Sequence, residues 1–406
     1  VTTLTPELVA GARRRTRGVL VSGQILAGLG MGSTLSVGAL LAASLSGSSA
    51  FSGMAATMST LGAAAAAIPL ATLAGKRGRS PALATGAIGA AVGALLCIVA
   101  AVVAFFPLLL LGLALIGVGT AVNLQSRFAA TDLSLPTSRG RDLSIVVWAT
   151  TIGAVSGPNL IAPGDDLGVA LGLPPLSGAF LFTIAAQALA AVLYVVGLRP
   201  DPLLIAAELG RTAPVVPGAG AASGNRVGVR VGMVSISLSH ATMVAVMAMT
   251  PVHLTEHGAT LAIVGFTISL HVGGMYALAP VFGVLSDRLG RVPTILLGQA
   301  LLAASLTMTS LGAEQEGWVM AGLVFLGLGW SASTVAGSAL IAASADPAMR
   351  TRTQGRADLL MSGSGAVGGA LAGVVLAVLG YGGLSAVALV LVAIVVTTLI
   401  VNRRRV

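Results

Sequence analysis

Charge is what this chain of 406 residues has least of. Its 22 Lys and Arg and 13 Asp and Glu make 9% of the residues, against about 25% in an ordinary soluble chain. So few charges cannot cover a water-exposed surface, and a soluble globular protein is excluded. Cysteine is nearly absent as well. With Cys97 alone there is no disulfide framework, no thiolate zinc site and no CxxC redox pair. Aromatic residues are 4% of the chain. What remains is 56% hydrophobic, with a mean hydropathy of +0.98. The apolar residues fall in blocks of about 20 rather than in short alternating segments, so the spans are helices and not barrel strands. The net charge of +9 would point to nucleic acid in a soluble chain. In a membrane chain it points instead to sidedness, and no nucleic-acid partner is expected.

Apolar blocks between polar breaks give twelve spans, at 18–45, 51–74, 82–105, 107–129, 143–163, 176–198, 229–252, 260–282, 293–313, 317–342, 358–379 and 382–402. With the N-terminus placed in the cytoplasm, the inner segments hold Arg13, Arg14, Arg15 and Arg17; Lys76, Arg77 and Arg79; Arg127, Arg139 and Arg141; Arg199, Arg211, Arg226 and Arg230; Arg288 and Arg291; Arg350, Arg352 and Arg356; and Arg403, Arg404 and Arg405. That set is every Lys and Arg in the chain. The outer loops carry only acids, among them Asp165, Asp166, Glu256, Glu314 and Glu316. Positive inner loops orient a membrane chain, so both termini are expected inside. The first span is too long for a signal peptide and is expected to be mature structure.

The inner loop 199–228 contains Pro202, Pro214, Pro217 and the small-residue run 218–224, a composition that predicts a flexible linker. It divides the chain into six-span bundles at 1–198 and 229–406. The halves look alike: Gly117 and Gly119 correspond to Gly327 and Gly329 at an offset of 210, and Asp132, Arg139 and Arg141 to Asp346, Arg350 and Arg352. Such a period reads as a duplicated six-helix unit.

Gly283-Val284-Leu285-Ser286-Asp287-Arg288-Leu289-Gly290-Arg291, between spans eight and nine, resembles the inner-loop signature of the major facilitator superfamily. Its counterpart between spans two and three keeps Lys76, Arg77 and Arg79 but has Gly75 where that family has Asp. Gly153 and Gly157-Pro158 in span five are similar to the GxxxGP element of its antiporters. The resemblance implies two pseudo-symmetric six-helix bundles working by alternating access. It also implies an inner gate in which Asp287, Arg288, Arg291, Lys76, Arg77 and Arg79 meet opposite partners, for which Asp142 and Asp358 are the expected acids. The superfamily fold hosts many substrates.

Polar chemistry inside the bilayer is costly and therefore informative. Carboxylates are scarce there, because Asp132, Asp142, Asp346 and Asp358 fall at helix ends, which argues against a proton-carrying acid in the membrane. Gln24, Asn123, Gln125 and Asn159 are read first as interhelical hydrogen-bond formers. All four histidines, His240, His253, His257 and His271, lie in spans seven and eight or the loop joining them. Met243 and Met247 share a helical face with His240, and Met275 lies one turn from His271. Folding this hairpin about residue 257 sets Met243 level with His271 and Met275 near His240. That makes a ladder of thioethers and imidazoles with rungs about 6 Å apart. Soft thioether sulfur with imidazole suits Cu(I), and neutral ligands release an ion more readily than thiolates. The alternative is that these methionines only fill space.

The pair Met243-x-x-x-Met247 and His271-x-x-x-Met275 resembles the motifs of the CcoA-like copper importers, bacterial facilitators that supply copper for cytochrome oxidase assembly. The resemblance implies that Met243, Met247, His271 and Met275 bind copper, with His240 as a possible further ligand, and that the protein sits in the bacterial inner membrane. Related riboflavin-type transporters lack these motifs, which leaves a small organic solute as the alternative cargo. No prosthetic group is expected, copper entering only as substrate, and the protein is expected to be a monomer in the lipid bilayer. His253-Leu254-Thr255-Glu256-His257 matches a metalloprotease pattern but is expected in a short outer loop. An enzyme is therefore not expected there, although His253 and His257 could capture a metal outside. Met54 and Met58 are read as packing.

Overall fold

The computed structural model describes residues 5–47, 51, 54–135, 137–212, 224–259 and 261–405. Among these the regular structure is helical, with no strand. The helices are α1 (Pro6–Ser46), α2 (Met54–Arg77), α3 (Arg79–Val102), α4 (Phe106–Ala129), α5 (Arg139–Ser156), α6 (Ile161–Ala170), α7 (Ala179–Gly197), α8 (Pro202–Thr212), α9 (Arg226–Glu256), α10 (Leu261–Tyr276), α11 (Ala279–Arg288), α12 (Arg291–Leu311), α13 (Glu316–Ser344) and α14 (Arg350–Asn402).

Nine helical stretches among the described residues are long and apolar enough to cross a bilayer. The last of them, 56 residues long, would measure roughly 84 Å if straight, against a hydrocarbon core of about 30 Å. It must cross twice. Gly380, at φ 69° and ψ 179°, breaks α14 where the chain turns back, a conformation that only a residue without a Cβ adopts cheaply. Span one lies in the 41-residue α1. Span five is α5 and α6 interrupted by a 3-10 turn at Gly157–Leu160, at the GxxxGP element. The described residues thus hold twelve helical membrane spans.

Two compact units are present. The first is Val1–Ser134, Ala149–Ala221 and Gln354–Leu359; the second is Leu135–Trp148, Ala222–Thr353 and Leu360–Val406. Residues 139–148 of α5 and 354–359 of α14 thus cluster apart from the rest of their own helices. In unit one α1 packs on α7, α3 on α4 and α7, and α2 on α4. Val37, Leu41, Leu109, Leu113 and Phe180 form a buried cluster against which Met58 packs. In unit two α13 is the central helix, carrying α12, α9, α10 and α11 around it. Lipid removes most of the hydrophobic drive between helices, so small residues and interhelical hydrogen bonds hold them together. Gln299 Nε2 donates to Ser239 Oγ and Ser333 Oγ, both at 2.8 Å, tying α9, α12 and α13. In unit one Gln24 Nε2 donates to the Asn123 carbonyl, and Gln125 Nε2 to that of Ala67, each at 3.2 Å.

Two expectations need correction. The segment 199–228 is not simply a linker, because it contains α8. Asp201 starts that helix, its Oδ1 accepting from Leu203 N at 3.0 Å. Pro214, Pro217 and the small-residue run up to 223 lie outside the described residues, as do Pro136 and the side chains of Asn159 and Arg211. Nor does His253 to Glu256 fill a loop: α9 continues through Pro251 to Glu256. Proline removes only its own N–H bond, and membrane helices tolerate that loss.

Candidate functional site

In unit two, His271 is fully buried, at 0% exposure. Its Nδ1 donates to the Leu323 carbonyl of α13 at 2.8 Å. That bond fixes the neutral tautomer and leaves Nε2 as the lone-pair nitrogen, which has no hydrogen-bond partner among the described residues. Close backbone contact makes this possible. A Cβ on Gly327 would fall 2.8 Å from Met275 N and would also collide with the His271 carbonyl. Glycine at 327 therefore lets α10 lie against α13 at the turn that carries His271 and Met275. Met275 is buried at 8% exposure and Met243 at 3%; Met247 is half-buried.

The hairpin picture of spans seven and eight needs revision. α9 and α10 each pack chiefly on α13 rather than on each other, because chain adjacency does not fix lateral neighbours in a bundle. His240 is held by α13 too: Trp330 Nε1 donates to His240 Nδ1 at 3.0 Å, and Tyr276 meets the Trp330 ring edge-on at 5.8 Å.

At the far end of α9, His253 Nε2 donates to the Ala313 carbonyl at 2.7 Å, and its ring stacks on Tyr381 at 4.2 Å. His257 Nδ1 donates to the His253 carbonyl at 2.8 Å, and its Nε2 lies 3.5 Å from Glu314 Oε2. These residues and Glu256 line a cavity of about 410 Å³. No cluster of three or more His, Cys, Asp or Glu suited to a metal occurs among the described residues.

The gate residues also pair differently from expectation. Asp287 is engaged by backbone donors. Its two oxygens accept from the backbone N–H groups of Gly140 and Arg141, both at 2.8 Å, and so cap the start of α5. Arg139, Arg291 and Arg350 gather nearby. Burial first, then the positive charges of Arg350 and Arg291, lower the pKa of Arg139. Arg288 is exposed. Asp142 is buried, and its Oδ2 accepts from Ser138 Oγ at 3.3 Å.

In unit one, Arg79 is 1% exposed and grips Asp132 with two bonds, Nε to Oδ2 at 2.8 Å and Nη2 to Oδ1 at 3.1 Å. Its Nη2 also donates to Gln354 Oε1 at 2.7 Å. Arg127 Nη2 donates to Asp358 Oδ1 at 2.6 Å, with Asp358 fully buried. Lys76 and Arg77 are exposed. Asp132, Asp142 and Asp358 are all buried. Sequence shows how near a helix end a residue lies, not whether a neighbouring helix covers it. Gln354 and Arg127 were missed as members of this network, because contacts between residues 231 and 275 apart leave no signal in chain order.

Residues 20–255 and 232–406 match the Major Facilitator Superfamily. The chain is 38% identical to the uncharacterized MFS-type transporter YdeG of Bacillus subtilis (strain 168), over 98% of this chain and 94% of that one. It is 27% identical to the riboflavin transporter RfnT of Brucella anthropi, over 97% of each. Among solved structures, the human organic anion transporter MFSD10 superposes with a TM-score of 0.76 at 18% identity, covering 95% of this chain and 99% of that one. Twelve helical spans, two compact units and the inner-loop signature agree with these likenesses: the chain belongs to the major facilitator superfamily and is a membrane transporter.

Proposed function

We propose that this transporter carries Cu(I) into a bacterial cell by alternating access, with Met243, Met247, His271 and Met275 as its transient ligands. The observation that supports this reading best is the state of His271. A histidine that binds a metal generally donates its other ring N–H to a carbonyl or carboxylate, which fixes the tautomer and aims the free nitrogen. His271 has that arrangement in a fully buried position, with a thioether one helical turn away at Met275. The likeness of the MxxxM and HxxxM pair to the CcoA-like importers supports the same assignment. A cation moving inward gains roughly 2.3 kcal/mol per 100 mV of inside-negative potential. His240, committed to Trp330, is the weaker candidate ligand. His253 and His257 would capture the ion on the outer side.

In this reading the basic face is cytoplasmic, with both termini there. The inner latch consists of the Arg79–Asp132 and Arg127–Asp358 pairs and the cap that Asp287 places on α5, with Asp142, Lys76, Arg77, Arg288 and Arg291 around them. Six-span bundles at 1–198 and 229–406 joined by 199–228, and a monomeric state, belong to the same proposal.

A second reading is uptake or efflux of a small organic solute, with the methionines as packing. The likeness to the riboflavin transporter RfnT favours it, as does the packing of α9 and α10 on α13 rather than on each other. Purified protein in liposomes, given Cu(I) under reducing conditions or riboflavin, separates the two. Saturable copper uptake supports the first reading. Riboflavin uptake with no copper uptake replaces it with the second.

A further inference from the structure

Asp358 and Asp132 are two buried carboxylates in one unit, yet they are held very differently. Asp132 is bound through both oxygens by one guanidinium, the strong bidentate arrangement of arginine with carboxylate. Asp358 has a single bond, from Arg127 to Oδ1. Its Oδ2 has no hydrogen-bond partner among the described residues, and the side chain is fully buried. A buried anion with an unmet oxygen carries a desolvation cost that one ion pair does not fully offset. The charges around it are few. Arg127 comes from α4, and Arg79, the other charge acting on it, comes from α3 and is engaged by Asp132. α2 approaches through Ala67 and Ala71 beside Gly355 and contributes no charge there; its Lys76 and Arg77 are exposed. One turn before Asp358, Gln354 also has an unpartnered Nε2.

We propose that Asp358 is a proton-binding site of the transport cycle. It is ionised while residues 354–359 of α14 stay against Arg127, and it takes one proton from water on the basic face when that segment moves away. Protonation removes the negative charge that Asp358 offers Arg127, so acid favours the released arrangement. The sequence of the spans offered no acid for this role; the lateral packing of α4 on the start of α14 supplies one. The inference does not depend on the cargo.

The test needs no substrate. Spin labels at Arg77→Cys and Arg356→Cys, in a Cys97→Ala background of the full chain in lipid nanodiscs, report the distance from α2 to the 354–359 segment of α14. The distribution should shift to longer distances between about pH 8 and pH 5, the ratio of the two populations changing up to about tenfold per pH unit for a single site. Asp358→Asn should show the long-distance distribution at both pH values. Asp358→Glu, which keeps a titrating group, should retain the shift with a displaced midpoint, and it carries the test if Asp358→Asn does not fold. A wild-type distribution that ignores pH overturns the proposal. So does a response that persists unchanged in Asp358→Asn, or a midpoint unmoved in Asp358→Glu. A response lost in Asp132→Asn but kept in Asp358→Asn moves the site to Asp132.

Discussion

Asp287 and Gly140 are joined by a hydrogen bond of 2.8 Å from the Gly140 amide to Asp287 Oδ1. The acid of the inner-loop signature therefore acts on the exposed backbone donors at the start of α5. An N-terminal carboxylate of this kind contributes about 0.5–2 kcal/mol. Asp287→Ala should lower the melting temperature of the purified protein measurably. Asp287→Asn, which keeps an acceptor, should recover most of the loss. Equal melting of both variants with wild type would contradict the capping role.

Asp201 does similar work at the other signature segment, where Gly75 stands in place of an acid. Its Oδ2 accepts from Ser80 N at 2.7 Å at the start of α3. Asp201→Ala should therefore destabilise by about 1 kcal/mol, read by thermal melting in detergent. If Asp201→Ala melts like wild type, the cap contributes nothing.

Arg79 and Asp132 form a buried, doubly bonded pair. Removing one partner strands the other charge, at a cost of about 3–5 kcal/mol, whereas replacing both with apolar residues of similar size costs far less. Arg79→Met and Asp132→Leu singly should be severely destabilised, and the double variant should be more stable than either. A double-mutant cycle of melting temperatures that is simply additive would show that the two do not interact.

The spans were legible because hydropathy depends on chain order alone. Lateral contacts do not. The Arg127–Asp358 pair joins residues 231 apart in the chain, and both positions look in sequence like ordinary charged helix ends. The packing of α10 on α13 depends on Gly327, whose missing side chain was read only as part of a repeated glycine pair. α8 was obscured because Pro202 and the small residues after it resemble a linker, although proline is well suited to the first position of a helix. The methionine and histidine spacing of spans seven and eight was fully visible, yet the helix on which those residues lean was not.

Sidedness can be tested directly. Cysteines placed by Glu314→Cys and Arg404→Cys should label on opposite faces of intact cells, the first reached by an impermeant reagent from outside and the second not. Cys97, fully buried, should stay silent. Labelling of Arg404→Cys in intact cells would overturn the orientation.

Copper uptake by the Met243→Leu, Met247→Leu double variant tests the central claim most directly. Leucine keeps the packing volume nearly unchanged and removes only the sulfur, so protein that remains folded in the membrane should lose Cu(I) uptake. Met275→Leu should lose it as well, while Met54→Leu, in α2 and not a member of the ladder, should transport like wild type. Wild-type copper uptake by the Met243→Leu, Met247→Leu variant would contradict the copper assignment and leave the organic solute as the cargo.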